Sequence, residues 1–151
     1  MRRDDGGMAG MTAELQIPSE LPPLSWTLTQ EQINAYAEVA GASDPIHVDP
    51  EFARETPLGG TIGQGFLLFA VMAEQITRGL NHPETWMSDG VLDVRFRAPA
   101  RPGDRLTMRA VRTVEDPTPE GDAATYEVWC EGPDGQRLID GTTDIPLGAF
   151  D

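Results

Sequence analysis

The chain has 151 residues, enough for one ordinary domain that closes its core without metals or disulfides. Eleven Lys and Arg stand against 25 Asp and Glu, a formal net charge of −14, which excludes the electrostatic footprint of a nucleic-acid or anionic-membrane binder. The single Cys130 excludes an intramolecular disulfide and a multi-cysteine metal site, and its apolar surroundings predict a buried, inert thiol suited to a reducing cytoplasm.

Residues 1–14 carry Arg2 and Arg3 but no apolar stretch behind them, so they read as a disordered leader to a domain over 15–151 rather than a secretory signal. Pro18, Pro22 and Pro23 punctuate the entry, and Leu24 to Leu28 is expected as a short strand. Thr29 followed by Gln32 is a capping-box pattern, after which Ile33, Tyr36, Ala37 and Ala40 recur at helical spacing. A helix is predicted from Gln30 to Ala40.

Gly41 to Pro50 concentrates Gly, Ser, Asp and Pro, which predicts a loop, and Pro50 suits the first turn of a short helix through Arg54. The longest apolar run, Phe66 to Ala73, is far below the ~20 residues that span a bilayer. It is apolar nearly all round, so a helix from near Gln64 to near Arg78 is expected at the centre of the fold, almost fully buried.

From Val91 the period changes to two. Leu92, Val94 and Phe96 are expected on the core face, then Leu106, Met108 and Ala110, then Tyr126, Val128 and Cys130, then a strand within Gln136 to Ile145. Turn signals at Pro102 to Asp104, Pro117 to Asp122 and Gly132 to Gly135 separate them. The fold class is α+β, a helix wrapped by an antiparallel meander. A lone sheet leaves edges and an uncovered face, so a dimer is expected.

The stretch that bears chemistry runs from Tyr36 through Ala42, Asp44, Pro45, Ile46, His47, Asp49 and Pro50, and continues in Gly59 to Leu68 with Gln64 and Gly65. It resembles the hydratase signature of the MaoC-like dehydratases and (R)-specific enoyl-CoA hydratases. In that family a helix ends in Gly-Asp-x-Asn-Pro-Ile-His-x-Asp-Pro and a later His-Gly opens a central helix. Gly41, Pro45, Ile46, His47, Asp49, Pro50 and Gly65 fall on matching positions, and Gly65 follows His47 by 18 residues, as the family spacing requires. Phe96 to Leu106 resembles the family's later strand and Gly-Asp turn.

The resemblance implies a hot-dog fold, a homodimer or a hetero-oligomer with a second hot-dog chain, and an acyl-CoA or acyl-carrier thioester substrate, with no cofactor and no metal. Because CoA is polyanionic, Arg95, Arg97, Arg101, Arg105, Arg109 and Arg112 become candidates for a local basic patch. The implied reaction adds water across a 2-enoyl thioester, or removes it, with a His and an Asp handling the protons and a helix-start amide polarising the carbonyl. Carried over residue by residue, His47 is the catalytic histidine and Gly65 the oxyanion amide, while Gln64, Ala42 and Tyr36 are candidates for substrate contact.

Three positions depart from the pattern: the family's catalytic Asp falls on Ala42, its Asn on Asp44, and the His of the His-Gly pair is Gln64. Asp44 brings a carboxylate back within three residues of His47, so two expectations stand for it, a displaced Asp44–His47 dyad or a cap for the short helix after Pro50. Asp49 is expected to cap the helix after Pro50. Three readings follow. The first is a hydratase or dehydratase with an altered site, the second a binding subunit completed by a catalytic partner, and the third another thioester or cyclisation reaction needing one base and an oxyanion hole.

Overall fold

A computed structural model describes residues 16–113 and 122–151. The expected leader at 1–14 and most of the turn after Pro117 lie outside the described residues. In chain order the elements are strand β1 (Glu20–Thr27), helices α1 (Gln30–Ala40), α2 (Pro45–Val48), α3 (Pro50–Arg54), α4 (Gly65–Arg78) and α5 (Pro83–Asp89), strands β2 (Val91–Phe96), β3 (Arg105–Arg112), β4 (Ala123–Glu131) and β5 (Arg137–Pro146), and a closing 3-10 turn (Leu147–Phe150).

Helix α1 begins and ends as its sequence dictates. Thr29 accepts from the Gln32 N–H at 3.1 Å while Gln32 Oε1 accepts from the Thr29 N–H at 3.3 Å. This reciprocal cap satisfies two of the donors a helix start leaves unpaired. Gly41 closes the helix at φ 67°, a left-handed conformation that a residue without Cβ adopts at no steric cost.

The five strands form one antiparallel sheet in the order β1-β3-β4-β5-β2. Its inner rows are those the alternation predicts: Leu106, Met108 and Ala110, then Tyr126, Val128 and Cys130, then Ile139, Thr143 and Ile145 are all buried. Burial pushes the Cys130 thiol up to about 12, a shift to which the nearby Glu131 charge adds, so the thiol stays protonated and inert. The outer rows pair charges across strands, Arg109 with Glu131 at 3.1 Å and Arg97 with Asp140 at 3.0 Å. The arginines considered as a patch are divided between β3 and the β2 margin, which two strands separate, and several already hold protein partners.

Helix α4 lies on the concave face, burying Leu68, Met72 and Ile76 at successive turns together with Gln75. Each large apolar side chain so buried stabilises the fold by about 1.5–3 kcal/mol. The expectation of all-round burial is corrected: Phe66 is 71% exposed, and Ala70 and Glu74 are exposed too. A single five-stranded sheet curls around only one side of the helix.

Three further differences have local causes. Strand β1 starts earlier than expected because an edge strand tolerates proline; the register shifts between Leu21 and Leu24, at Pro22 and Pro23, and Gln75 Nε2 donates to the Pro22 carbonyl at 2.9 Å. Within the expected loop, Asp44 and Pro45 instead start α2, since the residues that break one helix also cap and open the next. Helix α5, unforeseen, opens the same way at Pro83 and buries Trp86, whose Nε1 donates to Thr143 Oγ1 at 2.9 Å. Among the described residues no helix is long and apolar enough to cross a membrane.

Candidate active site

His47 sits in the single turn of α2, and its placement comes from hydrogen bonds to backbone rather than from packing. Its Nδ1 lies 2.9 Å from the Ile62 carbonyl oxygen. A carbonyl can only accept, so Nδ1 carries a proton, and in the neutral ring the lone pair is the one on Nε2. The Ile62 N–H in turn donates to the Ile46 carbonyl at 3.3 Å, which ties the 59–64 segment to α2. Gln30, the first residue of α1, donates from Nε2 to the His47 carbonyl at 2.7 Å and accepts at Oε1 from the Thr61 hydroxyl at 2.6 Å.

The other wall of the site is held by the segment after β2. Gly63 N–H donates to the Ala100 carbonyl at 2.8 Å, and Arg101 Nη2 donates to the Leu58 carbonyl at 2.6 Å. Between these walls lies a cavity of about 390 Å³ lined by His47, Ile62, Gly65, Leu68, Phe96 and Ile139 together with Gly63 and residues 97–100. Its lining is mostly apolar with few polar groups, the character of a small-molecule site.

Gly65 opens α4 at the edge of this cavity, where the first amides of a helix have no partner within it and the helix dipole favours negative charge. A Cβ at this position would stand 2.8 Å from the Phe96 ring, so any larger residue would push the ring away from the helix start. Phe96 was expected on the core face; it is 55% exposed because the strand ends here and its ring borders the cavity instead.

Of the six residues singled out by sequence, His47 and Gly65 meet on one cavity. Asp44, Gln64, Ala42 and Tyr36 are outside its lining. Asp44 is exposed and its carboxylate caps α2 by accepting from the Ile46 N–H at 3.1 Å; its carbonyl accepts from the His47 N–H at 2.9 Å, but the carboxylate makes no hydrogen bond to the His47 ring, so the structure gives it a helix-starting role. Asp49 caps α3 by accepting from the Glu51 and Phe52 N–H groups, both at 3.1 Å. Gln64 is buried, and its Nε2 donates to the Ile33 carbonyl at 3.0 Å and the Ala42 carbonyl at 3.4 Å, not into the cavity. Ala42 and Tyr36 are half-buried on and after α1. Sequence reasoning missed Gln30 and Thr61, whose partners are 17 and 31 residues away.

A buried helix on a curled antiparallel sheet, with a histidine and a glycine-led helix start on one cavity, is the architecture of a hot-dog domain. Residues 18–129 match the model of the MaoC like domain, and the chain belongs to this family. Among its relatives is 3-hydroxyacyl-thioester dehydratase Z of Mycobacterium tuberculosis, 35% identical over 82 residues, an alignment covering 53% of this chain and 54% of that protein. The chain thus spans about half the length of the curated relatives it matches first. Similar solved structures include the unliganded R-hydratase PhaJ1 from Pseudomonas aeruginosa, with a TM-score of 0.72 at 21% identity, covering 89% of this chain and 83% of that one. The ChsH1-ChsH2 complex from Mycobacterium tuberculosis is similar at a TM-score of 0.69 and 13% identity, covering 87% of this chain and 97% of that one. At these identities the two structures speak for the fold alone.

Proposed function

We propose that this chain hydrates a 2-enoyl thioester, or dehydrates the corresponding 3-hydroxyacyl thioester, with His47 as its acid–base group and the Gly65 N–H as its oxyanion donor. The observation that carries the reading is the shared cavity of His47 and Gly65, with the histidine tautomer fixed by Ile62. In hydration Nε2 takes a proton from water as the oxygen bonds to Cβ, and the Cα–Cβ π electrons pass to the thioester oxygen. The helix-start amide stabilises that oxygen as charge develops. The imidazolium then returns the proton to Cα on the same face, which restores the carbonyl and regenerates the base.

The missing carboxylate at position 42 makes His47 the sole acid–base side chain lining the cavity, so one group works in both directions. The same observation favours the second reading, a subunit whose carboxylate comes from a partner chain. Two-copy pairing through the edge strand β2 suits either, since a register centred on Val94 sets Asp93 of one copy opposite Arg95 of the other. A thioester of CoA or of an acyl carrier, in a cytoplasmic setting, fits this chemistry.

The test is turnover by the purified chain alone on a short 2-enoyl-CoA, followed by loss of the conjugated enoyl absorbance. Hydration by the wild type and its absence in His47→Ala support the enzyme. No hydration by the wild type, with turnover restored on adding a second hot-dog chain, replaces it with the subunit reading.

A further inference from the structure

Just outside the cavity lining, one polar side chain is buried with an unfinished set of hydrogen bonds. Gln64 is 3% exposed; its Nε2 donates to the Ile33 and Ala42 carbonyls, and its Oε1 is buried with no donor. The assignment of the two amide atoms follows from the partners, since both are carbonyls and only the NH₂ end can meet them. A methionine would fill the same length without stranding a buried acceptor, so on stability alone the amide is a poor choice.

What the amide connects is informative. Its own backbone runs directly into Gly65, while the Ala42 carbonyl belongs to the segment that leads through Asp44 into α2 and His47. At the opposite end of α1, Gln30 donates to the His47 carbonyl. Two amides therefore tie α1 to the site: Gln30 at its start holds the His47 carbonyl, and Gln64, the residue before Gly65, holds the Ile33 carbonyl in its first turn and the Ala42 carbonyl just past its end.

We propose that Gln64 is a positioning residue that sets the separation between His47 and the Gly65 N–H. This rests on the function proposed above. Its side chain lies outside the cavity lining, and it acts by fixing α1 and the segment that follows it, through Ile33 and Ala42, against the start of α4. A displacement of the order of an ångström between reacting groups costs up to a hundredfold in rate, so a strut of this kind has a kinetic readout.

The test uses Gln64→Met and Gln64→Glu in the full chain, with kcat and KM for enoyl-thioester hydration and the ring resonances of His47 by NMR. The only other histidine, His82, is exposed beside Glu84 and serves as the internal reference. Gln64→Met is expected to lower kcat on the order of tenfold or more with little change in KM, and to move the His47 resonances but not those of His82. Gln64→Glu is expected to approach wild-type kcat at low pH and lose it as pH rises, because a carboxyl can donate to a carbonyl only when protonated. The wild-type amide has no such step. A kcat within twofold of wild type, or a lower kcat with unmoved His47 resonances, overturns the proposal. If Gln64→Met does not fold, the pH step of Gln64→Glu decides alone. If the wild type hydrates no thioester, the functional reading fails while the His47 resonances still decide: movement supports the strut and stillness overturns it.

Discussion

The sheet and the site shell are built on opposite plans. In β3 and β4 alternate residues are apolar and buried, β5 adds Leu138, Ile139, Thr143 and Ile145 to the same core, and register follows from backbone ladders and that burial. The shell made by α1, α2 and the 59–64 segment has few such contacts; it is held by side chains reaching distant carbonyls, Gln30 to His47, His47 to Ile62, Gln64 to Ile33 and Ala42, and Arg101 to Leu58. Apolar burial is non-directional and tolerates small shifts, whereas a hydrogen bond weakens steeply with angle. The sheet thus sets whether the chain folds, and the shell sets where two reactive groups stand.

Substitutions can break or sharpen that contrast. The largest effect is expected for His47→Ala, a loss of roughly 10²–10⁴ in kcat for enoyl-thioester hydration with the unfolding midpoint little changed. A large loss of stability would instead place His47 among the structural residues. Next is Met108→Ala in the fully buried inner row, which should lower the unfolding free energy by about 2–5 kcal/mol in a denaturant titration while leaving kcat per folded molecule unchanged.

Gln30→Leu is expected to lie between the two regions in kind. It removes the bonds to His47 and Thr61 and should lower kcat on the order of tenfold while costing about 1–2 kcal/mol of stability. The smallest effect is expected for Asp44→Asn. Asparagine caps a helix as well as aspartate does, so both the unfolding midpoint and kcat should stay close to wild type. A kcat as low as that of His47→Ala would restore the displaced dyad and bring a carboxylate back into the reaction.

The same contrast governs what could be read in advance. Period-two runs such as Leu106 to Ala110 and the capping box at Thr29 are local signals, and their strands and helix stand where expected. Proline is ambiguous in sequence: Pro50 opens a helix as its context predicts, whereas Pro45 opens one inside a segment that reads as a loop and Pro22 and Pro23 lie within a strand expected to begin after them. Only tertiary context separates these uses of one residue. In the site, His47 and Gly65 were legible because a spaced motif names them. Gln30, Thr61 and the orientation of Gln64 were not, because their partners are main-chain carbonyls, which every residue possesses and no sequence pattern marks.

The two margins of the sheet are unequal, and this limits how copies can join. Strand β1 carries two consecutive residues without an N–H and a disrupted register, so an added strand would find gaps in its ladder. Strand β2 has no proline and an unbroken register with β5. A chain with one receptive margin and one blunted margin can be extended by strand addition only once. Two copies joined at β2 would present only blunted margins to the solvent, so strand addition would stop at that pair.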